Sequence, residues 1–371
     1  MKAIILQNDF NKYLSIVGRV VPTRGQLPIL ANVLVEADKG IVNLTATNLE
    51  LGLRVTLGGK VIEPGAITIP AKSLAEFVGS LPSGNVELTS KEEKLTVVGG
   101  KLTAIFAGIA ATEFPVMPKL AEISKGKSFK LKKKVIEEIA LQVAYAAATD
   151  ESRPVLTGVL LQPTDNGLIV TATDGFRLSR KGLEELKIET DGKGLIVPAR
   201  SILEMARVIG EGRKEEMVLG MLPESNQVIM EYDGTELLSR VLEGNFPDVE
   251  KIIPREKKCE LKIDKEDFLR AVRAVGIFAR ESANVIKFRI EDETLKISAS
   301  SSQIGESDVE VEVEKKGDDG QIAFNYRYVL DFLNSVTTER VTFEMTESLA
   351  PGVFGIEGDK SLTHIIMPVR V

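Results

Sequence analysis

Pro28-Ile29-Leu30-Ala31-Asn32-Val33-Leu34-Val35 resembles Pro154-Val155-Leu156-Thr157-Gly158-Val159-Leu160-Leu161 further along the chain. Outward from that pair, Thr45-Ala46-Thr47-Asn48-Leu49 is matched at the same offset by Thr171-Ala172-Thr173-Asp174-Gly175, and Ser298-Ala299-Ser300-Ser301-Ser302 follows one period later. Ile69-Pro70-Ala71-Lys72-Ser73-Leu74 matches Val197-Pro198-Ala199-Arg200-Ser201-Ile202, with Phe324-Asn325-Tyr326-Arg327-Tyr328-Val329 in third place. Glu113-Phe114-Pro115 and Asn245-Phe246-Pro247 close the first two copies. The period is about a third of the chain, which is a whole domain and not a solenoid unit. Polar joints at 121–127 and 253–258 predict domains over 1–121, 128–253 and 254–371.

Each copy opens on an amphipathic helix. Phe10, Leu14, Val17 and Val21 fall at helical spacing, as do Ile136, Ile139, Ala140 and Val143, and then Phe268, Val272, Val275 and Ala279. These helices are predicted over 9–20, 132–147 and 265–280, and second helices over 72–80, 200–210 and 326–334, with strands between. Asp174-Gly175, between Leu168–Thr173 and Phe176–Ser179, predicts a hairpin closed by a type I′ turn. Val309-Glu310-Val311-Glu312-Val313-Glu314 alternates, giving one buried face and one face of carboxylates that would protect a sheet edge. The predicted fold class is α+β: three similar sheet-rich domains, each with two helices on one side.

The composition removes most catalytic chemistry. The 371 residues include one Cys (Cys259), one His (His364) and no Trp. A lone Cys forms no internal disulfide and fits a reducing compartment, so a cytoplasmic protein is expected. No apolar run approaches a membrane span, and Met1 to Phe10 lacks a signal-peptide pattern. Thr363, Ile365 and Ile366 beside His364 supply no metal ligand. No Gly-x-Ser-x-Gly or Gly-x-Gly-x-x-Gly occurs, and Gly126-Lys127-Ser128 lacks the earlier Gly of a phosphate loop, Ala121 standing there. Glu291-Asp292-Glu293 and Asp318-Asp319 read as solvated turns. No enzyme, metal or cofactor is expected.

Charge is sorted by element. The chain has 47 basic and 54 acidic side chains, net −7, yet the six helical segments together are positive and the remainder correspondingly more acidic. Arg270, Arg273 and Arg280 share one helix face, and Arg200 and Arg207 another. Helices of three copies facing one way would offer phosphates a mildly basic surface on an acidic protein. With 5% aromatics, backbone contact with a duplex is favoured over single-strand stacking.

Arg153-Pro154-Val155-Leu156-Thr157-Gly158, Thr171 to Ser179, Asn245-Phe246-Pro247-Asp248 and the ending Met367-Pro368-Val369-Arg370-Val371 resemble the bacterial DNA polymerase III β subunits, the sliding clamps, in order along the whole chain. The resemblance implies a homodimer joined head to tail, a six-domain ring whose helices line a hole around double-stranded DNA. It implies a non-catalytic processivity factor that tethers the polymerase III α subunit, the clamp loader and other proteins carrying a clamp-binding motif, with no membrane involvement. It also implies a short-peptide pocket between domains two and three. Its walls would be Leu156, Thr173, Gly175, Phe176, Arg177 and Leu178, then Pro247, Lys251 and Ile252, then Asn325 and Tyr328, then Ile366, Met367, Pro368, Val369 and Arg370. Apolar walls would accept Leu and Phe side chains, Met367 would adapt its shape, and Gly175 would let backbone approach. Val371 is shorter than the Leu common in the family. For DNA the family pattern points to Arg24 and Lys72, with Arg153 a neighbouring candidate. Helix-face reasoning adds Lys12, Arg200, Arg207, Arg270 and Arg273. On an edge strand near 101–107, Leu102 or Phe106 would seal the dimer. The alternative is a scaffold of the same fold that recruits partners without encircling DNA.

Overall fold

A computed structural model describes residues 1–22, 27–123, 128–184, 194–222 and 225–370. The first repeat runs β1 (Lys2–Leu6), α1 (Gln7–Gly18), β2 (Asn32–Asp38), β3 (Ile41–Thr47), β4 (Leu51–Gly58), β5 (Lys60–Glu63), β6 (Gly65–Pro70), α2 (Ala71–Ser80), β7 (Asn85–Lys91), β8 (Lys94–Gly99) and β9 (Leu102–Ala107). The second runs β10 (Ser128–Lys132), α3 (Lys133–Gln142), β11 (Gly158–Thr164), β12 (Gly167–Thr173), β13 (Arg177–Glu184), β14 (Leu195–Pro198), α4 (Ala199–Gly210), β15 (Glu216–Leu222), β16 (Gln227–Tyr232) and β17 (Thr235–Arg240). The third runs β18 (Cys259–Asp264), α5 (Lys265–Ala279), β19 (Val285–Glu291), β20 (Thr294–Ser301), β21 (Gly305–Gly317), β22 (Gly320–Asn325), α6 (Tyr326–Ser335), β23 (Arg340–Met345), β24 (Gly352–Ile356) and β25 (Asp359–Ile366).

The strands form three sheets, ordered β5-β1-β7-β8-β9, then β10-β15-β16-β17-β4-β3-β2-β6, then β14-β11-β12-β13-β25-β24-β23-β18-β21-β20-β19-β22. Two of them pass from one repeat into the next. β17 pairs antiparallel with β4, Leu237 opposite Leu53, and β25 with β13, Ile365 opposite Leu178. Joining edge to edge satisfies backbone groups that would otherwise face water. The compact units are therefore 1–133 with 204–241, and 134–203 with 242–371, a division that runs through the second repeat.

Helix faces follow the apolar spacing. Phe10, Leu14 and Val17 of α1 are buried, as are Phe268, Val272, Val275 and Ala279 of α5. The Asp264 carboxylate caps α5 by accepting from the Asp267 N–H at 2.9 Å. Phe268 then packs on Phe288, which meets Phe324 edge-on at 5.4 Å in the core of the third repeat.

Three local expectations are corrected, and a fourth is met in part. α1 stops at Gly18, so Val21 lies beyond it. α3 stops at Gln142 and not 147, because side chains from β13 take the carbonyls at its end. Ser179 Oγ donates to the Gln142 carbonyl and Arg177 Nη2 to that of Tyr145, and residues 144–146 tighten into a 3₁₀ turn. The Asp174-Gly175 hairpin is present without a type I′ turn, since only Gly175 of the two takes a positive φ. β21 is an edge in its first part: β18 pairs with Val313–Gly317, while over Gly305–Glu312 β20 is the one strand beside it among the described residues.

Candidate functional site

The segment Thr173–Arg177 is built by side chains bonding their own backbone. Thr173 Oγ1 donates to the Arg177 carbonyl at 2.6 Å and accepts from the Gly175 N–H at 3.0 Å. Asp174 Oδ1 accepts from the N–H groups of Phe176 and Arg177, both at 2.9 Å. Gly175 takes φ +90°, a conformation in which glycine carries no Cβ penalty. A Cβ there would approach only Arg153 Nη1, at 3.7 Å, so the glycine answers a backbone demand and not crowding. Phe176 is left exposed at the tip.

Arg177 ties this loop to the third repeat. Its Nε donates to Asp174 Oδ2 at 3.1 Å, Nη1 to Asp331, and Nη2 to the Tyr145 carbonyl at 3.0 Å. The guanidinium also lies over the rings of Tyr328 (4.7 Å) and Tyr145 (5.4 Å). Burial raises both tyrosine hydroxyls above their ordinary range. Beneath this network is His364, fully buried, stacked on Phe332 at 5.4 Å, with Nδ1 3.0 Å from the Tyr145 hydroxyl. Burial, then the Arg177 charge, pushes the imidazole down to about 3, so it is neutral.

The C-terminal segment closes the other side. Met367 N–H donates to the Phe176 carbonyl and Val369 N–H to the Ala323 carbonyl, each at 2.8 Å. Below it Leu178, Val249 and Ile365 form an apolar cluster flanked by Phe246, Ile253 and Val353.

The candidate peptide residues thus fall into three groups. Gly175, Phe176, Pro247, Lys251, Ile252, Met367 and Arg370 are exposed, and Arg177, Asn325, Tyr328, Pro368 and Val369 are half-buried. Leu156, Thr173, Leu178 and Ile366 are buried; Ile366 belongs to the third repeat's core and Leu178 to the cluster beneath the site. Asn325 caps α6, accepting from the Arg327 N–H at 3.0 Å, and Lys251 pairs with Asp248 at 3.0 Å. Pro247 lines a groove of about 700 Å³ with Phe246 and Arg180. Val371 lies outside the described residues.

The first repeat contains the same loop with other side chains. Thr47 Oγ1 donates to the Leu51 carbonyl and accepts from Leu49 N–H, and Asn48 Oδ1 accepts from Glu50 and Leu51. Leu49 takes φ +77° where the second copy has Gly175. Arg240 N–H donates to the Glu50 carbonyl, the place Met367 and Phe176 take in the next joint. One backbone frame carries Glu50 and Arg240 at one joint and Phe176 and Met367 at the other; the first leaves Leu49 as its exposed apolar side chain, and the second exposes Phe176 and Met367 together.

The DNA candidates separate. Lys72 and Arg200 are exposed with no ion pair or hydrogen bond from their side chains among the described residues. Lys12 lies over the Tyr13 ring at 5.5 Å. Arg207 is drawn to buried Glu204 at 3.0 Å, and Arg19 pairs with Glu204 (3.2 Å) and Glu211 (2.6 Å). Arg270 pairs with Asp267, and Arg273 donates to Asn334 at 3.1 Å. The basic sorting is therefore partly cancelled within the helices. Arg153 stands beside Gly175, at the loop and not on a helix face. Arg24 lies outside the described residues.

Of the two dimer candidates on 101–107, Leu102 is 44% exposed at the start of β9. Phe106 instead packs edge-on against Phe77 at 5.8 Å, and its neighbour Ile105 is 66% exposed. Ile105 faces Thr96 as Leu238 faces Ile229 and Ile365 faces Val353, yet those counterparts are 8% and 1% exposed. Strand alternation alone could have separated Ile105 from Phe106. Tyr145 and Asp331 carried no motif, because their role exists only through contacts distant in sequence.

Three copies of one α+β unit, with sheets running across both joints and with β9 and the first part of β21 each paired on one side only, define a clamp-fold chain. Family comparison agrees: the DNA polymerase III beta subunit N-terminal domain matches residues 1–118, the central domain 130–248 and the C-terminal domain 250–370. The chain belongs to the DNA polymerase III beta subunit family. It is 28% identical to the beta sliding clamp of Staphylococcus aureus and 29% to that of Staphylococcus epidermidis, covering 100% of this chain and 99% of each relative. Among solved structures it is similar to the Bacillus subtilis DNA polymerase sliding clamp (TM-score 0.93, 25% identity, 100% and 99% coverage). It is also similar to the Pseudomonas aeruginosa DNA polymerase III subunit beta (TM-score 0.91, 28% identity, full coverage of both chains).

Proposed function

We propose that this chain is the processivity factor of a bacterial replicative polymerase: two copies close head to tail into a ring that slides on duplex DNA in the cytoplasm. Each copy contributes domains over 1–121, 128–253 and 254–371, and the ring holds DNA by topology, catalysing nothing. The carrying observation is Ile105, an exposed apolar residue on a strand paired on one side only, at the position that Leu238 and Ile365 fill when their strands join the next repeat. By repeat equivalence with β4 and β13, which take β17 and β25, the strand for β9 to meet is the first part of β21, which has the same open side. Lys72, Arg200 and Arg24 are the favoured phosphate contacts. Phe176, Ile252 and Met367 over the Leu178 cluster form the favoured peptide surface, taking Leu and Phe side chains of the polymerase, loader and other partners. No described helix is long and apolar enough to cross a membrane.

The test is the solution mass together with DNA retention. A dimer near twice 40.4 kDa that stays on circular DNA and leaves linear DNA is expected. Ile105→Asp should give monomers, because a carboxylate would be buried without a partner. A parent chain monomeric at micromolar concentration, or one retained equally on both DNAs, overturns the ring.

A further inference from the structure

We propose that Glu76 and Arg280 form an ion pair across the joint between two copies, where each joint inside the chain pairs the equivalent acid with an arginine, once at a helix end and once on a strand. The proposal rests on the ring reading above. The second helix of every repeat carries an acid at its sixth position: Glu76 in α2, Glu204 in α4 and Asp331 in α6. At each joint inside the chain that acid meets a guanidinium. Glu204 takes Arg19, the residue that ends α1, at 3.2 Å. Asp331 takes Arg177, which lies over the ring of Tyr145, just past the end of α3. Glu76 is exposed and has no ion pair among the described residues.

In a head-to-tail dimer the helix that faces α2 is the partner's α5. With 15 residues against the 12 of α1, α5 is one turn longer. It therefore places Ile277, 56% exposed, where α1 has Arg19, and Arg280 three residues further along the same face. The other cations of α5 are engaged: Lys265 with Glu266, Arg270 with Asp267, Arg273 with Asn334. The Arg280 side chain has no partner among the described residues. On α2 the exposed groups without an ion pair among the described residues are Lys72 and, one turn on, Glu76; at the end of α5 they are Arg280 and Glu281, so it is Glu76 at the position of Glu204 and Asp331 that offers Arg280 its opposite charge. Two-fold symmetry then makes the contact twice per ring.

Charge exchange tests the pairing. Glu76→Arg and Arg280→Glu each place like charges at both joints, whereas the double variant restores opposite charges with the partners exchanged. Measured by sedimentation over serial dilution at low salt, the dimer dissociation constant should rise about tenfold in either single variant and return to within about threefold of the parent in the double. Glu76→Gln and Arg280→Gln should weaken the dimer less, and melting curves should show all variants folded. Singles that leave the constant unchanged, or a double as weak as the two singles combined, overturn the pair while leaving the ring intact. A parent chain monomeric at every concentration overturns the ring reading, and the pair with it.

Discussion

Arg177 is held by two carboxylates, a carbonyl and two aromatic faces, so its side chain has little freedom left to lose when a ligand arrives. Asp331→Ala removes the carboxylate from the third repeat and leaves the guanidinium held by Asp174, the Tyr145 carbonyl and the two tyrosine rings. Peptide affinity should fall roughly tenfold with a small drop in melting temperature, read by fluorescence anisotropy with a Gln-Leu-x-Leu-Phe peptide; unchanged affinity would exclude Asp331 from positioning the site. His364 gives a pH signature. Its folded form titrates at about 3 against an ordinary value of 6.5. Between those values the unfolded chain binds more protons, so this contribution to stability is full above 6.5 and is lost as pH falls toward 3. His364→Gln does not titrate, so the parent's unfolding free energy relative to it should decline by about 1.4 kcal/mol per pH unit below 6. Parallel urea-derived stabilities from pH 7 to 5 would show the imidazole charging freely in the folded state.

At the scale of elements, the C-terminal segment is one of three equivalent straps. Ile109, after β9, exchanges hydrogen bonds with Thr68 of β6; Leu242, after β17, donates to Ile196 of β14; Val369, after β25, donates to Ala323 of β22. Deleting Met367 to Val371 frees the edge of β22 as well as removing Met367. Peptide binding should be abolished and the melting temperature lowered, while the dimer mass persists, since β9 and the open part of β21 are untouched; a monomeric deletion would show that tail and joint are coupled. The straps also show what a sequence can carry. Repeats and helix faces were legible because Phe268, Val272, Val275 and Ala279 obey a local period. The early end of α3, the turn at Asp174-Gly175 and the sheets crossing the joints were not. Each depends on a partner far along the chain, as Ser179 is for Gln142 and Leu53 for Leu237. Of the candidate site, the loop and tail were readable as motifs, whereas Ile365, Val353 and Asp331 owe their place to strand register and helix position.

For the whole molecule, DNA contact should be weak and electrostatic, because Glu204, Asp267 and Asn334 already engage Arg207, Arg270 and Arg273. The slope of log affinity against log salt should be shallow, about −0.9 for each phosphate neutralised, and replacing Arg24 and Lys72 by Ala should reduce it without altering peptide binding. An unchanged slope removes both from the DNA surface. The loop that occurs as Thr47–Leu51 and again as Thr173–Arg177 has a consequence for how such a chain acquires new recognition. The side chains that hold it are Thr and Asn or Asp, never those at its tip, so a tip side chain can be rewritten wherever the new residue accepts the backbone angle. A tripled gene holding that frame gains a spare template with every duplication: one copy keeps the architecture while another is free to drift toward a vocabulary of ligands.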